Sequence, residues 1–202
     1  IDGAKQVVTT GTNRVRAYDL KTGEIVWQCG GLGLNAIPNP LRFEDTVLAM
    51  TGYREANLMA IALGEKGDLT DSEAVRWSQQ RGLSYTASPV LWDGRLYAAM
   101  DNGRLSCFDA KTGEAYFVEE RLPRGSVLKS SPVAADGILY VPTESGEVHL
   151  IAVEKEYREV GTNTRADQFF VASPAIADGE LYRRSKTHLF CIAETAEDGG
   201  GQ

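Results

Sequence analysis

Apolar residues along this chain fall in short runs, each closed by a turn signal such as Asp-Gly, Asn-Gly or Thr-Gly. Residues 85–119 show the pattern most plainly. Strands are expected over residues 85–91, 95–100, 104–109 and 114–119, with Asp93-Gly94, Asn102-Gly103 and Thr112-Gly113 as the turns between them. Connections this short join only antiparallel neighbours, because a parallel crossover needs about a dozen residues or more. The stretch therefore reads as a four-stranded meander. No segment carries a capped, 3.6-period apolar pattern of helical length.

The meander recurs. Ser-Pro-apolar followed by Asp-Gly occurs at Ser88-Pro89-Val90 with Asp93-Gly94, at Ser131-Pro132-Val133 with Asp136-Gly137, and at Ser173-Pro174-Ala175 with Asp178-Gly179. A weaker copy is Asn39-Pro40-Leu41 with Glu44-Asp45, set further from its successor by a polar insertion over residues 64–72, and Asp2-Gly3 marks a fifth unit. A period of about 43 residues is that of a propeller blade. The third strand of each unit tests the alignment. Val15, Leu58, Leu105, Leu150 and Leu189 form a large apolar column; Ala17, Ala60, Cys107, Ala152 and Cys191 form a small one; Tyr18, Ile61, Phe108, Val153 and Ile192 follow it. Apolar side chains on both faces mean a sheet dry on both sides, which favours a β-propeller over an open antiparallel sheet with one wet face. The fold class is thus all-β.

Composition narrows the function. The 202 residues carry a net charge of −7, with 43% hydrophobic and 24% charged residues. An acidic surface disfavours tracking a phosphate backbone, so nucleic acid is excluded as an expected partner. No apolar run reaches the roughly 18 residues of a membrane span. The 3 Cys cannot build a disulfide framework, and 2 His argue against a multi-histidine metal centre. Neither an initiator Met nor a leader pattern opens the sequence, so any signal peptide is expected to lie upstream or to have been removed.

Residues 17–27, Ala-Tyr-Asp-Leu-Lys-Thr-Gly-Glu-Ile-Val-Trp, resemble the tryptophan-docking motif of the pyrroloquinoline quinone (PQQ) repeat family, in which Ala17, Asp19, Thr22, Gly23 and Trp27 hold the recurring positions. Residues 107–117 match it at Asp109, Thr112 and Gly113, with Cys107 for Ala and Phe117 for Trp; Trp77 ends the insertion-bearing copy, and the copy at 154–160 keeps neither Thr-Gly nor Trp. In physical terms Asp and Thr-Gly suit a tight turn, and the aromatic brings a flat surface to the outer strand where adjacent blades meet. Their expected role is structural. The resemblance implies a PQQ-like propeller of seven or eight blades, a family holding both quinoprotein dehydrogenases and non-catalytic outer-membrane assembly lipoproteins.

On this reading the chain is the C-terminal part of a larger ring: a partial blade over 1–30, blades over 36–79, 85–121 and 127–163, a partial blade over 169–194, and a disordered tail over 195–202. The first and last units are expected to hold three strands and the others four, with missing N-terminal blades or a second copy completing the ring.

Candidate chemistry is sparse. The family's dehydrogenases hold PQQ against a disulfide between adjacent cysteines and coordinate calcium, whereas Cys29, Cys107 and Cys191 stand far apart. Cys107 and Cys191 are expected to be buried in the small column, and Cys29, beside a Gly-Gly pair, to be the more accessible thiol. His149 and His188 are expected to be exposed strand-start residues, and Ser88, Ser131 and Ser173 are repeat marks outside any nucleophile elbow. Gly30-Gly31-Leu32-Gly33 precedes no helix and reads as an inter-blade loop rather than a phosphate loop. Arg183, Arg184 and Lys186 form a basic patch; strand alternation turns the two arginines to opposite faces, so one is expected to pair with a carboxylate between blades, the alternative being an anionic ligand at the propeller mouth. No catalytic, cofactor or metal site is assigned, and no cofactor is expected in this segment. The expected function is a non-catalytic, periplasmic or otherwise extracytoplasmic scaffold binding a protein partner or small ligand at the propeller face. The alternatives are a PQQ- and calcium-dependent dehydrogenase with its site in the missing blades, and the ligand-sensing domain of a membrane receptor.

Overall fold

The computed structural model describes residues 5–193. The Asp2-Gly3 turn and the 195–202 tail lie outside them. Strands β1 (Gln6–Gly11), β2 (Arg14–Asp19) and β3 (Ile25–Gly30) form the first sheet. After β4 (Leu41–Phe43), β5 (Thr46–Thr51) and β6 (Asn57–Ala62), the short β7 (Gly67–Asp68) leaves to pair with β3, and β8 (Val75–Gln79) returns to complete a second sheet in the order β4-β5-β6-β8. β9 (Val90–Trp92), β10 (Arg95–Met100), β11 (Arg104–Asp109) and β12 (Ala115–Arg121) make the third sheet. β13 (Val133–Ala135), β14 (Ile138–Pro142), β15 (Glu147–Ala152) and β16 (Glu159–Thr164) make the fourth, and β17 (Ala175–Ala177), β18 (Glu180–Arg184) and β19 (Leu189–Ile192) the fifth. Among the described residues there is no helix, hence none long and apolar enough to cross a membrane.

The pairing is antiparallel throughout except at β3–β7, which is parallel. The strand that closes the first sheet thus comes from the polar insertion of the next unit, a pairing across sequence that local turn signals could not foretell. The hairpins form where expected: Asp93 (φ 46°) and Gly94 (φ 72°) both take the left-handed backbone that a two-residue hairpin turn requires.

The core lies between sheets. Val15, Ala17 and Trp27 meet Val47, Ala49, Met59 and Ile61; Leu48, Met50, Leu58 and Ala60 meet Leu96, Ala98 and Phe108; Tyr97, Ala99, Leu105 and Cys107 meet Leu139, Val141 and Ile151. Alternate residues of one strand therefore serve opposite neighbours, and every position of β5 is buried. This is a propeller's stacking of blades. Each of the buried Val, Leu, Ile, Met and Phe side chains contributes about 1.5–3 kcal/mol when removed from water.

Candidate functional site

The small column has a geometric cause. Ala17 pairs across the sheet with Trp27, Ala60 with Trp77 and Cys107 with Phe117, and in each unit the register slips immediately after that pair. A larger side chain opposite the ring would occupy its space. Trp27 is fully buried, and its indole N–H donates to Gln6 Oε1 at 3.2 Å. Trp77 is half-buried and lies against the next unit's turn, where a Cβ added to Gly113 would come within 2.5 Å of its Cε3. Phe117 contacts Tyr157 edge-on, with ring centroids 5.9 Å apart. Asp19 Oδ1 accepts from the N–H groups of Lys21 and Thr22 at 2.8 and 2.9 Å, and Asp109 Oδ1 repeats both bonds to Lys111 and Thr112. These bonds hold the Asp19 carboxyl below its ordinary range, that of Thr22 contributing most. Gly23 and Gly113 take φ near +72°, as the turns demand.

Near the first strands of the sheets, the Ser-Pro repeats join. The N–H of Asn39 donates to Ser88 Oγ at 3.0 Å, that of Ser88 to Ser131 Oγ at 2.9 Å, and that of Ser131 to Ser173 Oγ at 2.9 Å. Each hydroxyl thus ties its own unit to the preceding one.

A row of connected loops runs beside this line. Tyr53 and Tyr85 stack with centroids 4.8 Å apart, and the Arg54 guanidinium lies 5.5 Å from the Tyr53 ring centre. Thr86 donates to Asp101 Oδ1 through its N–H at 3.1 Å and its hydroxyl at 2.9 Å, and Lys129 Nζ donates to Asp101 Oδ2 at 2.5 Å. The bond to Asp101 raises the Lys129 pKa. The row continues through Glu144 N–H to Val127 O and Phe170 N–H to Glu144 O. Beside it, Phe169, Val171, Ala172, Arg184, Ser185 and Lys186 line a groove of about 580 Å³.

Several expectations are corrected here. Arg184 and Lys186 are exposed on the groove, but Arg183 is only 4% exposed and, among the described residues, pairs with no carboxylate. Its guanidinium lies 3.9 Å from the Phe170 ring centre and donates to Gly146 O at 3.2 Å; an aromatic face and a carbonyl replace the expected ion pair, and burial lowers its pKa. His149 is buried, not exposed: its Nδ1 faces Glu159 Oε1 at 2.9 Å and its Nε2 faces Ser126 Oγ at 3.4 Å, because the loop before β13 folds over the start of β15. His188 is exposed. The cysteines exchange roles. Cys107 is buried as expected, and desolvation pushes its thiol up to about 12. Cys29 is also buried, its S–H facing Gly30 O at 3.4 Å and Leu69 O of the insertion at 3.7 Å, and Cys191 is exposed because, among the described residues, its face of β19 meets no further sheet.

Sequence reasoning missed the row of Tyr53, Tyr85, Asp101 and Lys129. Its signal was positional, since Tyr85 and Lys129 stand three and two residues before a Ser-Pro repeat. Among the described residues, no group of three or more His, Cys, Asp or Glu is placed to hold a metal ion.

Similarity to known proteins agrees with this geometry. The profile of the family described as outer membrane protein assembly factor BamB matches residues 1–155. The BamB of Kangiella koreensis is 31% identical over 182 residues, covering 86% of this chain and 44% of that protein. The BamB of Salmonella typhimurium is 25% identical over 185 residues, covering 89% and 45%. This chain therefore spans about half the length of the curated relatives it matches. In structure, BamB from Moraxella catarrhalis superposes with a TM-score of 0.56 at 18% identity, over 97% of this chain and 69% of that one. The computationally designed Ika8 protein superposes with a TM-score of 0.67 at 10% identity, over 93% and 57%. From the docking turns, the stacked four-stranded sheets and a profile match over three quarters of its length, the chain belongs to the PQQ-like propeller family of the outer membrane protein assembly factor BamB.

Proposed function

We propose that this chain is part of a non-catalytic, periplasmic scaffold for outer-membrane protein assembly, and that it binds a protein partner through the loop row of Tyr53, Arg54, Tyr85, Asp101 and Lys129. The observation that carries the reading is the Tyr53–Tyr85 stack beside Arg54. Aromatic and Arg side chains on a rigid frame are the groups that dominate protein interfaces. Here the frame is rigid because Asp101 binds the neighbouring loops through Thr86 and Lys129. The family's BamB members support the assembly role.

The test places the whole reading frame in a Gram-negative strain lacking its own BamB. The wild-type protein should restore outer-membrane protein levels and co-purify with the assembly machinery. The double variant Tyr53→Ala, Tyr85→Ala should fold and lose both properties. Full function in that variant would refute the loop row as the interface.

We also propose that further blades of the same protein, or a second copy, cover the face of β18–β19 that carries Tyr182, Leu189 and Cys191. Leu189 is 69% exposed, whereas its counterparts Val15, Leu58 and Leu105 are fully buried by the next sheet. Sedimentation of this chain at micromolar concentration should show self-association; a compact monomer would leave cover by the rest of the protein.

A further inference from the structure

The insertion over residues 64–72 does more than lengthen a turn. It crosses to the first sheet and lays Gly67 and Asp68 beside Trp27 and Gln28 in parallel, at the outer edge of β3. Among the described residues, the equivalent outer strands β8, β12 and β16 end their sheets without such a cover. The contacts continue past the two paired residues: Leu69 N–H donates to Gln28 O at 2.8 Å, and Gly30 N–H donates to Thr70 Oγ1 at 2.8 Å. Leu69 is buried in the cluster of Trp27, Cys29 and Met59. Asp68 accepts from Gln28 Nε2 at 3.0 Å and lies 3.7 Å from Arg14.

These are the elements of peptide recognition by strand addition, in which main-chain bonds supply the pairing and side-chain pockets read the sequence. The edge takes an acidic residue, then Leu, then a hydroxyl-bearing residue. What holds the segment is modest: one buried apolar side chain, a short main-chain pairing and side-chain contacts that are mostly exposed to water, entered through two glycines in left-handed backbone, Gly64 (φ 99°) and Gly67 (φ 84°). Segments held in this way open without global unfolding. We propose that the outer edge of β3 is a strand-addition site for an extended peptide of Asp-Leu-Thr type, and that residues 64–72 are its resident, displaceable ligand. The site is separate from the loop row and does not depend on it.

The three cysteines provide the clocks. Cys191 is exposed, Cys107 is closed between two sheets, and Cys29 lies between the first two sheets where Leu69 of the insertion completes its cover. With an uncharged thiol reagent, Cys29 of the intact chain should react more slowly than Cys191 but at least about tenfold faster than Cys107, as local opening requires. In a variant with residues 65–71 replaced by a Gly-Ser linker, Cys29 should react rapidly. A synthetic peptide of residues 64–72 added in trans should restore protection, and a scrambled peptide should not. Equal rates for Cys29 and Cys107 in the intact chain overturn the proposal, as does a peptide that fails to protect Cys29 while Cys107 stays closed. If the linker variant also opens Cys107, the pair Asp68→Ala, Thr70→Val decides: it must speed Cys29 alone, and a parallel rise at Cys107 refutes the site.

Discussion

The backbone N–H of Ser88 donates to the hydroxyl of Ser131 at 2.9 Å, one unit further along the chain. Because the donor is main chain and the acceptor is a side chain, each Ser can be removed without disturbing its own N–H. Ser131→Ala should cost about 1 kcal/mol, read as a fall of about 2–4 °C in unfolding midpoint for a chain of this size. Ser88→Ala breaks a different bond, that of the Asn39 N–H. The double variant should therefore be additive within about 0.5 kcal/mol, and strong coupling would show that the hydroxyls act as one network.

Trp27 and Trp77 occupy the same repeat position in different surroundings. Trp27→Ala should cost about 3–5 kcal/mol, as truncation of a packed aromatic does. The Phe variants separate the two sites further, because the Trp27 indole N–H has Gln6 and the buried Trp77 indole N–H has no partner among the described residues. Trp27→Phe should lower the thermal midpoint more than Trp77→Phe. The reverse order would mean that Gln6 contributes nothing.

Gly23 and Gly113 have matching backbones, but only Gly113 has a neighbour in the way. Gly23→Ala should cost about 1–2 kcal/mol, the penalty of a side chain in left-handed backbone. Gly113→Ala should cost more, and in a Trp77→Ala background that excess should vanish. Persistence of the excess would show that the Trp77 ring does not dock on this turn.

Acid should loosen the same turn. Although burial alone would raise its pKa, hydrogen bonds from Tyr116, Thr112 and Lys111 hold the Asp109 carboxyl below its ordinary 3.8. A depressed folded-state pKa means that its contribution is present above pH about 4 and lost as the pH falls through the lower folded value. Asp109→Asn should therefore narrow the stability gap from wild type as the pH drops below about 4. Urea midpoints measured at pH 7 and pH 3 would check this, and a gap independent of pH would contradict it.

How far the sequence could be read depended on whether an interaction repeats. Ala17, Ala60 and Cys107 recur because each faces an aromatic ring across the sheet, so one physical demand was written three times and the column was visible. Cys29 was misjudged because it faces the second sheet rather than the adjoining loop, and because part of its cover comes from Leu69, 40 positions on, in a segment with no counterpart in other units. Cys191 was misjudged for the opposite reason. It obeys the column, but the column promises burial only where another sheet follows. His149 shares its position with the half-buried Arg14, Asn57 and Arg104 and the exposed His188, and differs through Ser126 and Glu159, single contacts that no periodicity encodes. The Tyr53–Tyr85 stack joins loops of two units, and a pairing made only once leaves no period to find.

Among the described residues each sheet packs on its neighbours in chain order, so the molecule behaves as a short one-dimensional lattice. The third sheet, β9–β12, is clamped from both sides, whereas the fifth packs on one side alone. Amide protection should therefore be graded along the chain, deepest in β10 and β11 and shallow in β17–β19. The lattice would melt inward from its weaker end rather than all at once. It also allows blades to be gained by duplication, since the joints among the first four sheets reuse the same columns of apolar side chains.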